Sequence, residues 1–122
     1  MQLSISNSSD RPLYEQIYTQ IKGKIMTGEL KEGEALPTIR SLAQALKISV
    51  ITTARAYSDL EKDGFIHTVT GKGSFVAPRN VELFREENRR QIELKLSEAV
   101  ELARLGGIPG EEVRAALDLL LE

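Results

Sequence analysis

The stretch of sequence that decides the fold is LPTIRSLAQALKISVITTARAYSDL, residues 36–60. Pro37 holds the chain extended and Thr38 is a good N-cap, so the pattern predicts a short helix that ends near Leu46. After a turn of two or three residues, Ser49 caps a second helix, which we expect to cover residues 50–63. Its inward face is predicted to carry Thr53, Ala56, Tyr57 and Leu60. Two short helices joined by a tight turn indicate a helix-turn-helix.

The segments on either side of this stretch extend the unit. Before it, apolar residues recur every four positions, at Leu13, Ile17, Ile21 and Ile25. This spacing predicts one helix over roughly residues 11 to 27, because an α-helix turns once every 3.6 residues. After it, two β-prone runs, 65–69 and 74–76, flank the glycine-rich turn 70–73, which predicts a β-hairpin. The expected fold is mostly α with a small β-hairpin, and residues 1–78 are predicted to form a winged helix-turn-helix.

The remaining residues, 79–122, are predicted to form two helices. Residues 81–105 have helical spacing, and the run Gly106-Gly107-Ile108-Pro109-Gly110 breaks the helix before a second one begins at about Glu111. Two helices of this size bury little core alone, so we expect this tail to pack on a second copy of the chain. The residues predicted to make the dimer contact are Val81, Phe84, Ile92, Leu96, Ala99, Ala103, Val113, Leu117 and Leu120.

Composition excludes several classes of function. The 122 residues include no cysteine and a single histidine, His67, so we expect no thiol chemistry, no metal site, no catalytic residues and no cofactor. No apolar stretch approaches the length of a membrane span, and the N-terminus lacks the pattern of a signal peptide, which together predict a cytoplasmic protein. The net charge is −2. Residues 1–78 carry nine Lys and Arg against eight Asp and Glu, whereas residues 79–122 carry seven against ten.

Several motifs resemble the GntR family of bacterial transcription regulators. They are Pro12-Leu13-Tyr14-x-Gln16-Ile17, Leu36-Pro37-Thr38-x-Arg40-x-Leu42-Ala43, Leu60-Glu61-x-x-Gly64-Phe65-Ile66 and Gly71-Lys72-Gly73-x-Phe75-Val76, in unbroken order over residues 10–78. The run Ala54-Arg55-Ala56-Tyr57 and the two-helix tail are similar to the YtrA-like subfamily. The resemblance implies a homodimeric winged-helix repressor, often of a transporter operon. Its implied partner is a double-stranded DNA operator that forms an imperfect palindrome.

The chain departs from the family pattern at three positions. Val50 and Ala54 stand where many members have arginine, and Lys47 stands where a glycine is common in the turn. Base readout is therefore expected to depend on Arg55 and on apolar contacts. If Lys47 is left-handed, it carries a strain of about 1 kcal/mol.

A recognition helix presents its N-terminal residues to the bases of the major groove. Ser49 and Thr52 can therefore donate to phosphates or base edges, while Val50 and Ile51 can touch thymine methyl groups. Arg40 is placed to reach a phosphate, and the wing turn can lay backbone N–H groups and one ammonium along the DNA backbone. The complete set of predicted DNA-binding residues is Thr38, Arg40, Ser49, Val50, Ile51, Thr52, Thr53, Arg55, Thr70, Gly71, Lys72 and Gly73.

Alternatives remain for several of these residues and for the function. Arg40 and Arg55 can instead pair with nearby acids, Thr38 can act only as a helix cap, and either Thr52 or Thr53 can pack inward while the other faces DNA. The acidic isoelectric point leaves open a winged helix that binds another protein. A roomy effector pocket is not expected in two helices, although a small molecule can bind between subunits, and the sequence does not identify one.

Overall fold

The computed structural model describes residues 1–122, which form two compact units, residues 1–80 and 81–122. Unit 1 contains three helices, α1 (Leu13–Met26), α2 (Ile39–Leu46) and α3 (Val50–Lys62), followed by the strands β1 (Ile66–Val69) and β2 (Gly73–Val76). Unit 2 contains α4 (Val81–Leu105) and α5 (Gly110–Leu121). The predicted mostly helical fold with one small hairpin is confirmed.

The helix-turn-helix has a side-chain cap at the start of each helix. The hydroxyl of Thr38 accepts a hydrogen bond from the Ser41 N–H at 3.0 Å, and the hydroxyl of Ser49 accepts one from the Thr52 N–H at 3.0 Å. Between the two helices, Lys47 is left-handed with φ of 57°, as the tight turn required. Both caps satisfy N–H groups that have no partner within the helix, so they fix where α2 and α3 begin.

The core of unit 1 forms where α1 packs on α3. Ile17, Ile21 and Ile25 of α1 are buried, and the buried residues of α3 are the predicted set of Thr53, Ala56, Tyr57 and Leu60. Burial raises the pKa of the Tyr57 phenol above its ordinary value, so the hydroxyl stays protonated and donates to the Pro37 carbonyl at 2.7 Å. This hydrogen bond joins α3 to the residue that precedes the α2 cap.

The wing is a two-stranded antiparallel sheet in which Ile66 pairs with Val76 and Val69 with Gly73. The segment that leads from α1 to α2, residues 33–36, adds to its edge. The Gly33 N–H donates to the Val76 carbonyl, the Val76 N–H donates to the Glu34 carbonyl and the Leu36 N–H donates to the Ser74 carbonyl, each at 2.9 Å. The wing is therefore hydrogen-bonded to the chain that leads into α2, which the sequence pattern did not indicate.

An N-terminal arm lies along α1. Gln16 bonds the backbone N–H and carbonyl of Ser6, and Gln20 does the same for Ser4. Gln16 and Gln20 are one helical turn apart on α1, and Ser4 and Ser6 are two residues apart in an extended segment. The two spacings are similar in length, so each glutamine meets one serine backbone. The arm is thereby held on the surface of α1.

Unit 2 is a helical hairpin whose turn is the predicted glycine-rich breaker. The Ile108 N–H donates to the Ala103 carbonyl at 2.8 Å, and Ala103 is buried next to the turn. Two predicted dimer contacts need correction, because the side chains of Phe84 and Ala103 are already buried in the single chain and offer a second copy little surface. The other predicted contacts are exposed or, for Val113, half-buried: Val81, Ile92, Leu96, Ala99, Val113, Leu117 and Leu120.

Candidate nucleic-acid interface

The first turn of α3 exposes apolar side chains to solvent. Val50 is 43% exposed and Ile51 is 82% exposed, although both are large and β-branched. The Ser49 cap holds this turn, because its hydroxyl accepts from the Thr52 N–H and also donates to the Thr52 hydroxyl at 2.8 Å. The result is a fixed helix end that presents two branched apolar groups beside two hydroxyls. Such a surface complements a thymine methyl group and the neighbouring polar base edges.

The structure separates Thr52 from Thr53. Thr53 is 0% exposed, and its hydroxyl donates to the Ser49 carbonyl at 3.2 Å inside the helix. The prediction that Thr53 contacts DNA is therefore wrong, since a buried side chain reaches no ligand. Thr52 is half-exposed and remains the polar candidate on this turn.

The candidate cations of unit 1 are exposed and carry no ion pair within 4.0 Å. They are Arg40 in the first turn of α2, Arg55 in the second turn of α3 and Lys72 in the wing turn. Elsewhere, Lys24 pairs with Glu29, and in α4 Lys95 pairs with Glu98. Arg40 and Arg55 therefore do not pair with nearby acids, which was the alternative for these two residues. Their charges are available to bind an anion.

The wing turn connects β1 to β2 through residues that project into solvent. Gly71 and Gly73 have φ values of +77° and +113°, a backbone conformation that side chains with a Cβ disfavour. The Lys72 N–H donates to the Val69 carbonyl at 2.9 Å, which closes the turn and leaves the Lys72 ammonium exposed. Thr70 is also exposed at this tip.

Residues 13–76, from the start of α1 to the end of β2, match the family described as bacterial regulatory proteins of the gntR family. The chain belongs to the GntR family. Like the family, it is a DNA-binding transcription regulator with a winged helix-turn-helix. GntR-family regulators bind operator DNA and act as dimers. The matched range contains every residue predicted to bind DNA.

Individual GntR relatives and neighbours extend the likeness beyond this domain. The chain is 30% identical over 111 residues to the HTH-type transcriptional repressor YtrA of Bacillus subtilis, which covers 91% of this chain and 85% of that repressor. A transcriptional regulator from Oenococcus oeni superposes with a TM-score of 0.78 at 28% identity and covers 98% of both chains. The DNA-binding domain of AraR in complex with operator ORE1 superposes with a TM-score of 0.53 at 30% identity, covering 63% of this chain and 94% of that one.

One contact at this GntR interface was not anticipated from the sequence. The guanidinium carbon of Arg55 lies 3.6 Å from the centre of the Tyr14 ring, which comes from α1. Tyr14 belongs to the Pro12-Leu13-Tyr14 motif, which indicates the family but assigns the ring no contact. Tyr14 follows Leu13, the first residue of the apolar stripe of α1. A tyrosine at such a position more often packs at the edge of a core, so the sequence does not indicate a contact with Arg55.

Two further features bear on other classes of function. No cluster of three or more His, Cys, Asp or Glu side chains is placed to hold a metal ion. None of the helices combines the length and the apolar character that crossing a membrane would require.

Proposed function

We propose that this protein is a dimeric repressor that binds an imperfect palindromic operator, with half-sites about one helical turn apart. The observation that carries the proposal is the exposure of Val50 and Ile51 on the capped first turn of α3. Two branched apolar side chains in water do not gain the free energy of burial unless a partner covers them, so their exposure indicates a binding surface. The major groove of DNA accepts an α-helix at this end and offers thymine methyl groups as apolar partners.

Under this proposal, the residues divide into those that read bases and those that contact phosphates. Val50, Ile51 and Thr52 face the base edges, while Ser49 and the Thr38 cap lie where helix N-terminal N–H groups approach the DNA backbone. Arg40 and Lys72 supply charge to phosphates from α2 and from the wing turn. Thr70, Gly71 and Gly73 let the wing backbone approach the DNA closely. This division gives unit 1 few direct base contacts, so affinity depends strongly on phosphates and on a second copy.

We propose that unit 2 supplies the dimer contact. In α5 no residue is buried in the single chain, and α4 leaves large apolar side chains exposed along its length. An apolar surface of this extent on one helical hairpin is typical of an interface. Doubling the number of phosphate contacts offsets the weak net charge of unit 1.

Two finer points follow from the same proposal. The protein is expected to act in the cytoplasm, where bacterial operator DNA lies, and to have no enzymatic activity. The relatives support this reading, because they are transcriptional regulators.

A gel-shift experiment on the promoter of the gene cluster that encodes the chain tests the function. We expect a shifted band with the full chain, weakened by Arg40→Ala and steeply weakened as salt is raised. Arg114→Ala removes an exposed arginine from α5 and is the matched control, for which we expect binding as in the wild type. If no local promoter fragment shifts at low salt, the DNA-binding proposal fails and the alternative of a protein-binding winged helix gains support.

A further inference from the structure

The side chain of Arg55 starts on the exposed face of α3, and its guanidinium contacts α1. At 100° per residue, Arg55 projects near Ile51, on the side of α3 opposite the buried Thr53, Ala56, Tyr57 and Leu60. From that outward position its guanidinium turns back to lie over the ring of Tyr14, in the first turn of α1. Since α1 packs along α3, the charge is drawn away from the exposed ridge of the recognition helix toward the flank next to α1.

The stack fixes the orientation of the guanidinium without neutralising it. A cation over an aromatic face is attracted by the ring quadrupole, and arginine stacks especially well because it is planar and weakly hydrated. The ring covers one face and leaves the N–H edge free, which is the edge that binds two phosphate oxygens at once. No carboxylate lies within 4.0 Å of Arg55 to compete for that edge.

We propose that Tyr14 is a positioning residue that holds Arg55 as a phosphate contact at the edge of the major groove. The inference rests on the proposed function, and it changes one expectation from the sequence. Arg55 was expected to help read bases, whereas a guanidinium held beside α1 lies on the flank of the recognition helix, where the DNA backbone borders the groove. Base readout then depends on Val50, Ile51 and Thr52. The contribution of Arg55 to affinity is the same for any DNA sequence.

The test measures binding of the full chain to two probes by fluorescence anisotropy across a range of salt. One probe is the promoter fragment and the other is a mixed-sequence duplex several helical turns long. The variants are Arg55→Gln, Tyr14→Leu, their double mutant and Tyr14→Phe, which removes the hydroxyl but keeps the ring. Melting temperatures of all variants report whether the fold is retained.

We expect Arg55→Gln to weaken both probes by the same factor and to make the plot of log affinity against log salt shallower by about 2 for the dimer. Tyr14→Leu is expected to weaken both probes roughly five- to thirtyfold through two copies, and Tyr14→Phe to bind as the wild type. The double mutant should bind no more weakly than Arg55→Gln, because the ring acts through the arginine.

Other outcomes overturn the inference. If Tyr14→Leu binds as the wild type, the ring does not act through Arg55. The same conclusion follows if the effects of the two substitutions add in the double mutant. Arg55→Gln that weakens only the promoter probe and leaves the salt slope unchanged makes Arg55 a base reader. If Tyr14→Leu does not fold, Tyr14→Gln replaces it as the variant without the ring, and the same loss of affinity on both probes is expected. Failure of the wild type to bind either probe contradicts the proposed function instead.

Discussion

At the scale of single residues, Ile51 gives the most direct test of base readout. Replacing thymine by deoxyuridine removes one methyl group from the major groove and changes nothing else in the duplex. We expect one such replacement in each half-site to weaken binding, by about 0.8 kcal/mol per methyl group covered. Ile51→Ala should weaken binding to the unmodified operator and become insensitive to the same replacement, measured by competition anisotropy.

Thymines outside the half-site serve as controls for this prediction, because their methyl groups lie beyond the recognition helix. Binding of Ile51→Ala to a mixed-sequence duplex should stay close to that of the wild type. If every single uracil replacement leaves affinity unchanged, the exposed Ile51 does not read a methyl group, and its exposure requires another partner.

Thr52 and Thr53 are adjacent threonines in different environments, because Thr53 is buried and Thr52 is half-exposed. A threonine carries a methyl group and a hydroxyl, so its type alone does not decide between core and surface. The period of the helix decides it, because Thr53 lies on the same face as Ala56, Tyr57 and Leu60. The inward face was predicted from this spacing, and the same spacing excludes Thr53 from the interface. The Arg55–Tyr14 stack, in contrast, depends on a rotamer and on the packing of two helices, which no local pattern encodes.

At the scale of elements, α3 has a start that serves both stability and binding. The Ser49 hydroxyl caps the helix, so we expect Ser49→Ala to lower the free energy of unfolding by about 1 kcal/mol in urea titrations. Ser49→Asp keeps an oxygen acceptor, and its negative charge interacts favourably with the positive end of the helix dipole, so the free energy of unfolding should be retained. Its negative charge repels phosphate, so its DNA binding should fall far below that of Ser49→Ala. Equal DNA binding by the two variants would place this helix end away from the DNA backbone.

Elements that depend on local signals were predicted closely, and one that depends on distant pairing was missed. The caps at Thr38 and Ser49, together with the breaker at 106–110, set the helix bounds, and each acts over a few residues. The edge contact of residues 33–36 with β2 joins segments far apart in sequence. The sequence pattern does not indicate this contact, because the alternation of a strand cannot be detected over so few residues.

At the scale of the whole molecule, the weak charge of unit 1 makes dimerisation part of DNA binding, and α5 offers a matched pair of variants to test it. Helical spacing puts Leu120 on one stripe with Val113 and Leu117, whereas Leu119 lies outside that stripe, about 100° around the helix from Leu120. Both leucines are well exposed, at 82% and 69%. Leu120→Glu would place a charge in the proposed interface, so we expect sedimentation velocity to show monomers and operator affinity to fall steeply. Leu119→Glu adds the same charge outside the stripe and should remain dimeric. If both variants stay dimeric and bind DNA, the two subunits meet through another surface, and the acidic tail has a different role.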